Sequence, residues 1–280
     1  MLTRDDVLYI TELSRKAGRL AREMRSTALV TEKSGPRDLL TSADIALSDM
    51  LITSLQERFP NDQIISEEGP TTNAPLSNRV WFVDPIDGTE NYVAGDQMYS
   101  VMIGLLIDQQ PCWGFVHHPP SESTLVGSPD GARRIGVENR DYPTPPQALR
   151  PDQKIRILMG NRDREQHPFI EALPQAEFLH SGSVGLRVGM ILDGNADLYI
   201  HLAGKLKMWD TVGPAAIALS AGLEIGSLDF EGITYDSSTR THEYPVLIGR
   251  PGTLAWLRSH LKIVPQPTAT VGYELTQANL

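Results

Sequence analysis

The stretch Trp81-Phe82-Val83-Asp84-Pro85-Ile86-Asp87-Gly88-Thr89-Glu90-Asn91-Tyr92 constrains this chain more than any other. An apolar run with strand character leads into two carboxylates three residues apart, on a segment stiffened by proline and followed by glycine. Carboxylates at i and i+3 around such a turn can converge on one point. Oxygen ligands of that kind suit hard divalent cations, Mg²⁺ above all. Gly88 lets the backbone approach an anion and Thr89 adds a hydroxyl. A helix starting there would present N–H groups to a phosphate. The same letters also spell an ordinary Asp-Gly turn with Asp84 closing a strand, and spacing alone leaves both readings open.

Three further acidic features bear on that choice. Ile64-Ile65-Ser66-Glu67-Glu68-Gly69 puts paired glutamates directly after a short apolar strand, an expensive place for charge unless it has a partner. Thr41-Ser42-Ala43-Asp44 has the form of a helix start, with Asp44 placed to cap it. Met208-Trp209-Asp210-Thr211 precedes a helical pattern, where Asp210 suits an N-cap. Each has a purely local explanation when taken alone.

Composition narrows the function classes. With 25 Lys and Arg against 35 Asp and Glu, the net charge is -10, the wrong sign for a protein that neutralises nucleic-acid phosphates or docks on anionic lipid. Apolar residues make up 40% of the 280, enough to bury a sizeable core. The single cysteine, Cys112, excludes a disulfide framework or a thiolate zinc cluster and fits a reducing compartment. Charges in Met1 to Asp6 leave no apolar signal segment, and no run approaches the roughly 18 residues of a membrane span. A cytoplasmic location is the expectation.

Helical spacing of apolar residues runs from about Asp5 to Thr27, and again from Thr41 or Ser42 to Phe59. Strand-like runs follow at 79–83, 99–107, 112–116, 123–126 and 133–137. Further on, strand signals at 155–159 and 197–200 alternate with helix signals at 184–192 and 212–221. An α+β lobe over 1–140 and an α/β lobe over 153–280 are expected, joined by a linker at 141–152 that holds Pro143, Pro145, Pro146 and Pro151. His117-His118 makes no rival metal site, because neighbours on a strand point to opposite faces. No dinucleotide fingerprint, P-loop or nucleophile elbow is present.

In this order the four acidic elements resemble the inositol monophosphatase superfamily of Mg²⁺-dependent, Li⁺-sensitive phosphatases. The match is to D-P-I-D-G-T-x-N-[FY] at Asp84 to Tyr92, T-x-x-D at Thr41 to Asp44, the paired Glu67 and Glu68, and W-D at Trp209 and Asp210 followed by the Ala221-Gly222 ending. The resemblance implies a layered α-β-α-β-α sandwich, and commonly a homodimer. It implies one Mg²⁺ on Glu67, Asp84 and the carbonyl of Ile86, a second on Asp84, Asp87 and Asp210, and a weaker third near Glu67. Glu68 matches a glutamate that is generally not a ligand. Asp44 and Thr89 match the pair that orients and deprotonates the attacking water. The amides of Gly88 and Thr89 would hold phosphate oxygens. Two ions about 3.5–4 Å apart can neutralise a phosphomonoester, acidify water and stabilise the leaving oxygen.

Substrate choice would lie in Ser181-Gly182-Ser183-Val184-Gly185-Leu186-Arg187. Gly182 and Ser183 could present polar groups to an anion and Arg187 could pair with a second phosphate. Ordinary helix capping with a solvated arginine explains the same letters. This element and Asn195 to His201 are similar to the 3′(2′),5′-bisphosphate nucleotidase branch. His201 stands where inositol monophosphatases place a glutamate that binds inositol hydroxyls. Arg162, Arg164, Lys205 and Lys207 are further candidates for a distal phosphate, and Lys33 has no assigned role. The expected activity is removal of the 3′-phosphate of adenosine 3′,5′-bisphosphate. The alternatives are an inositol-1-phosphate or sugar-phosphate phosphatase, and a non-catalytic phosphate-sensing scaffold.

Overall fold

The computed structural model describes residues 1–33, 38–70, 74–143, 146–150, 153–235, 239–264 and 272–276. Helix α1 (Arg4–Met24) starts on a capping box. Thr3 Oγ1 accepts from Asp6 N–H at 3.2 Å, and Asp6 accepts from Thr3 N–H at 2.9 Å. Helix α2 (Ser42–Arg58) starts on the same device, made by Thr41 and Asp44. Both lie on one face of a seven-stranded sheet, where Ile10, Leu13, Ala17, Leu47, Leu51 and Leu55 pack against Trp81, Val83, Ile103 and Phe115. In spatial order the strands are 63–66, 79–87, 100–107, 110–118, 123–128, 131–135 and 140–142. Only the first pair is parallel.

Helices α5 (Val184–Leu192) and α6 (Met208–Ser220) cover the other face of that sheet. α6 comes unusually close because three register partners, Gly104, Gly114 and Gly127, form a track without side chains. A Cβ on Gly114 would stand 2.0 Å from the Gly213 carbonyl oxygen. Beyond these helices lies a five-stranded sheet, ordered 176–179, 155–159, 198–201, 246–249, 224–226. Its residues alternate between two cores. Leu158, Tyr199 and Ile248 face α5 and α6, while Ile157, Leu198 and Leu247 face α7 (Thr253–His260). Burial on both faces explains the continuous apolar runs. The result is the expected layering: helices, sheet, helices, sheet, helix.

Three expectations shift. The sixth helix starts at Met208, four residues before the apolar pattern, because Lys207 rather than Asp210 is the cap. The expected linker begins as a strand, since Tyr142 pairs with Ala132 and is only 7% exposed. Pro145 and Pro151 lie outside the described residues. The strand expected at 133–137 runs over 131–135. No helix among the described residues is long and apolar enough to cross a membrane.

Candidate active site

The strand Arg79–Asp87 runs four residues further than its apolar pattern, and the extension is a bulge. Asp84 lies opposite Met102 and Asp87 opposite Ser100, so three steps on one strand face two on the other. In a regular strand, residues i and i+3 point to opposite faces. The extra residue reverses that, and both carboxylates turn to the α5–α6 side. The two aspartates therefore converge through a bulge within a paired strand, where a turn was expected.

Asp87 meets the start of α5. Ser183 Oγ donates to Asp87 Oδ2 at 2.6 Å, and Gly185 N–H donates to the same oxygen at 3.2 Å. Ser183 is fully buried and also caps α5 by accepting from Leu186 N–H. That revises its expected role as a substrate ligand: it ties the start of α5 to a carboxylate of the seven-stranded sheet. Asp210 stands in the first turn of α6, where its Oδ2 accepts from Lys207 N–H at 2.7 Å. Glu67 follows the neighbouring strand, and its N–H bonds to the Val83 carbonyl at 3.0 Å, beside Asp84. Its carboxylate is turned to Lys33, whose Nζ lies 3.0 Å away and also bonds Glu68.

Asp44 uses one oxygen on the α2 cap, accepting from Thr41 N–H at 2.8 Å. Thr89 Oγ lies 3.4 Å from the other Asp44 oxygen and 3.0 Å from the Ile86 carbonyl, two acceptors for one hydroxyl proton. Helix α3 (Thr89–Val93) starts there, with Gly88 at φ 94°, the left-handed region that glycine adopts freely. A Cβ at Gly88 would also strike the Met98 carbonyl at 2.8 Å.

The acids repel one another. Burial pushes Asp84 well above the usual carboxylate range, and the charges of Glu67, Asp87, Asp210 and Asp44 push it further. Burial raises Asp87 to about 6, against the opposing hydrogen bonds from Ser183 and Gly185. Asp210 is raised well above the usual range by burial and then by Glu67 and Asp87. Asp84 is 2% exposed, and its Oδ1 has no hydrogen-bond partner. An enclosed oxygen without a donor, ringed by repelling oxygens, fits a hard cation. No three acidic, histidine or cysteine side chains among the described residues already close into a metal-holding group. Glu67 faces Lys33 and Asp87 faces α5, so the donors fit in chemistry and the ring stays open on those two sides.

A cavity of about 390 Å³ adjoins this ring. Its walls include Glu67, Gly88, Thr89, Asn91, Gly182 and Arg187, together with Asn161, Arg162, Glu165 and His180. Arg187 is 7% exposed, lies over the Tyr199 ring at 4.9 Å and donates to the Ser181 carbonyl. His201 is turned inward: Nδ1 lies 3.7 Å from Asp163, and Nε2 is enclosed without a partner. Burial lowers its pKa to about 4, so the ring is neutral near pH 7. Arg164 bonds Glu171 and Lys207 Nζ donates to Thr241 at 2.7 Å, while Lys205 is exposed. Of the distal candidates, Arg162 and Arg187 reach the cavity wall. Asn161, Glu165 and His180 were missed. Their one signal was position just after strands of the second sheet, Asn161 and Glu165 on helix α4 (Asn161–Gln166) and His180 in the segment after 176–179, where α/β ligand sites gather. His117 and His118 diverge as expected, toward Thr124 and toward the Gln97 carbonyl.

Residues 4–252 match the inositol monophosphatase family. Inositol monophosphatase 1 of Bos taurus is 27% identical over 247 residues, 83% of this chain and 86% of that protein. The 3′(2′),5′-bisphosphate nucleotidase CysQ of Haemophilus influenzae is 27% identical over 221 residues, covering 75% and 80%. Inositol monophosphatase-II from Staphylococcus aureus superposes with a TM-score of 0.75 at 24% identity, over 91% of this chain and 95% of that one. An IMPase/NADP phosphatase complexed with Mg²⁺ and phosphate superposes with a TM-score of 0.71 at 20% identity, covering 86% and 88%.

Proposed function

Because the chain belongs to the inositol monophosphatase family, whose members are phosphoric monoester hydrolases, we propose that it removes the 3′-phosphate of adenosine 3′,5′-bisphosphate. The observation that carries this reading is the charge layout of the cavity. Its lining joins the Gly88-Thr89 loop and Glu67 to two arginines, Arg162 and Arg187, with Glu165 beside Arg162. A substrate with a second anionic group can use those arginines while its scissile phosphate lies at the acidic ring. A volume near 390 Å³ lies within the range of small-ligand sites.

Glu67, Asp84, Asp87, Asp210 and the Ile86 carbonyl would hold two to three Mg²⁺ ions. Bound Mg²⁺ supplies the positive charge and Lewis acidity that bring an anionic ester and a water together. The chain's own groups do the positioning. The amides of Gly88 and Thr89 hold phosphate oxygens on the cavity wall. Thr89 Oγ accepts a hydrogen bond from the attacking water, and its single proton, shared between the Ile86 carbonyl at 3.0 Å and Asp44 at 3.4 Å, turns to Asp44. Burial raises the Asp44 pKa, which favours its taking a proton. Arg187, anchored by Ser181 and Tyr199, carries a fixed positive charge for the distal group.

Inositol monophosphatases and nucleotidases both stand among the relatives at 27% identity. The purified protein with Mg²⁺ is therefore offered adenosine 3′,5′-bisphosphate, inositol 1-phosphate and fructose 1,6-bisphosphate, with phosphate release measured for each. The highest kcat/KM on the nucleotide supports the reading. Preference for inositol 1-phosphate overturns it, and no release from any of the three removes the catalytic reading altogether.

A further inference from the structure

Thr89 sits on a helix of only five residues, too short to hold its own shape in water. Its reach to Asp44 is 3.4 Å, at the long limit of a hydrogen bond, so a small rotation of α3 breaks the alignment. Something outside the helix must fix that rotation. Two carbonyls at the far end of α3 accept from one side chain. Arg25 Nε donates to the Tyr92 carbonyl at 2.8 Å and an Nη donates to the Asn91 carbonyl at 3.1 Å. The same Nη also bonds the Asp96 carbonyl, in the loop that follows. The Asn91 and Tyr92 carbonyls lie in the last turn of α3, where they also accept from Asp96 N–H at 2.9 Å and Gly95 N–H at 3.3 Å, so Arg25 ties the helix end and the loop after it to α1.

The guanidinium is itself held in place. It lies 5.3 Å from the Tyr92 ring centre and 5.1 Å from that of Tyr99. The two rings meet edge to face at 5.1 Å, and both residues are 1% exposed. Tyr92 is tied back to α1 by its hydroxyl, which donates to the Ala21 carbonyl at 2.6 Å. Asn91 also abuts the far wall of the cavity: a Cβ on Gly182 would stand 2.2 Å from its side-chain oxygen. A fork fixed to α1 thus sets the rotation of the helix that carries Thr89 and the seam between Asn91 and Gly182.

We infer that Arg25 is a positioning residue for phosphate release, acting through α3 to align the Thr89 hydroxyl with Asp44 without touching substrate. It rests on the role given to Thr89 above. Three carbonyls in two directions require a planar, multidentate donor, which a lysine ammonium on a flexible stem does not reproduce.

The test compares the wild type, Arg25→Gln, Arg25→Lys and Arg22→Gln, and repeats Arg25→Gln in a Thr89→Ala background. Arg22 lies one turn back on α1 and bonds the Pro119 carbonyl and Glu122, away from α3. Expected is a fall in kcat of about ten- to a hundredfold for both Arg25 variants, with KM and the Mg²⁺ half-saturation within about twofold. Arg22→Gln keeps the wild-type kcat. In the Thr89→Ala background the Arg25 change should cost less than about twofold, because the group it aligns is gone. Wild-type kcat in Arg25→Gln, or an equal loss with and without Thr89, overturns the inference. Should Arg25→Gln fail to fold, Arg25→Lys, which keeps the stem and the charge, decides by its kcat. Wild-type kcat in Thr89→Ala alone would instead overturn the role of Thr89.

Discussion

Asp197 and Asp84 are 0% and 2% exposed, Asp197 immediately before the strand 198–201 and Asp84 within the strand 79–87. Asp197 is surrounded by donors. Its oxygens accept from Arg156 N–H at 2.8 Å and from the Arg156 guanidinium at 2.9 and 3.0 Å, and Arg250 Nε stands 3.2 Å away. Asp84 has one oxygen with no partner and four acids close enough to raise its pKa. A buried carboxylate whose donors are all protein groups is part of the scaffold. One that the fold leaves short of positive charge is built for a charge from outside. Burial is equal in the two cases, so the difference lies in the donors.

Reversing that difference by mutation gives the largest expected effects. Asp84→Asn should lower turnover by at least about 10³-fold, since it removes a charge from the centre of the acidic ring. It should also raise the stability of the metal-free protein by about 1–2 kcal/mol, because an uncompensated buried charge is gone. Asp197→Asn should do the opposite, costing about 2–3 kcal/mol by leaving two arginines underpaired while kcat stays near wild type. Thermal unfolding in EDTA and phosphate release in Mg²⁺ check both. A stable, inactive Asp197→Asn or a destabilised, active Asp84→Asn would break the contrast.

How much of this was legible in the sequence follows from the range of each interaction. The bulge between Asp84 and Asp87 comes from neighbours in the chain, so the residues that converge could be named beforehand even though a turn was expected in place of a bulged strand. The capping box at Thr41 and Asp44 is equally local. The bond from Ser183 to Asp87 joins residues 96 apart, and the arginine fork on α3 joins residues 66 to 71 apart. No spacing rule signals such contacts. The glycine track is similar: Gly104, Gly114 and Gly127 belong to three strands, and only their register shows that they share one line under α6.

Removing the metal should sharpen the contrast through pH. The folded pKa of Asp87 is raised from 3.8 to about 6, with Asp84 and Asp210 shifted the same way. A raised carboxylate pKa means that the folded state binds protons more tightly than the unfolded one. The stabilisation is full below pH 3.8 and is lost as pH rises through about 6. In EDTA the protein should therefore lose stability across that window. Saturating Mg²⁺ should supply the missing charge, with a gain of about 2.7 kcal/mol at a hundredfold excess over Kd. The gap between Tm with Mg²⁺ and Tm with EDTA should widen from pH 5 to pH 7 by this account. In Asp84→Asn it should shrink, and in Asp197→Asn it should persist. A gap independent of pH would mean that the ring's protons and the metal do not compete.

The smallest effect uses a threonine–aspartate cap found at two helix starts among the described residues. Thr3 with Asp6 and Thr41 with Asp44 make the same capping box on α1 and α2. Asp6 places its other oxygen on Arg58, at 2.7 and 2.9 Å, and so is fully partnered within the scaffold. Asp44 turns its other oxygen to Thr89. Replacing either threonine by alanine removes one side-chain cap, a loss of about 1 kcal/mol each. Thr41→Ala should in addition lower kcat several-fold, because Thr41 Oγ fixes the Asp44 carboxylate at 2.5 Å and thereby its approach to Thr89. Thr3→Ala should leave kcat unchanged. Equal kcat in the two variants, at equal loss of Tm, would mean that Asp44 is held by the Thr41 N–H alone and that its second oxygen needs no help to find Thr89.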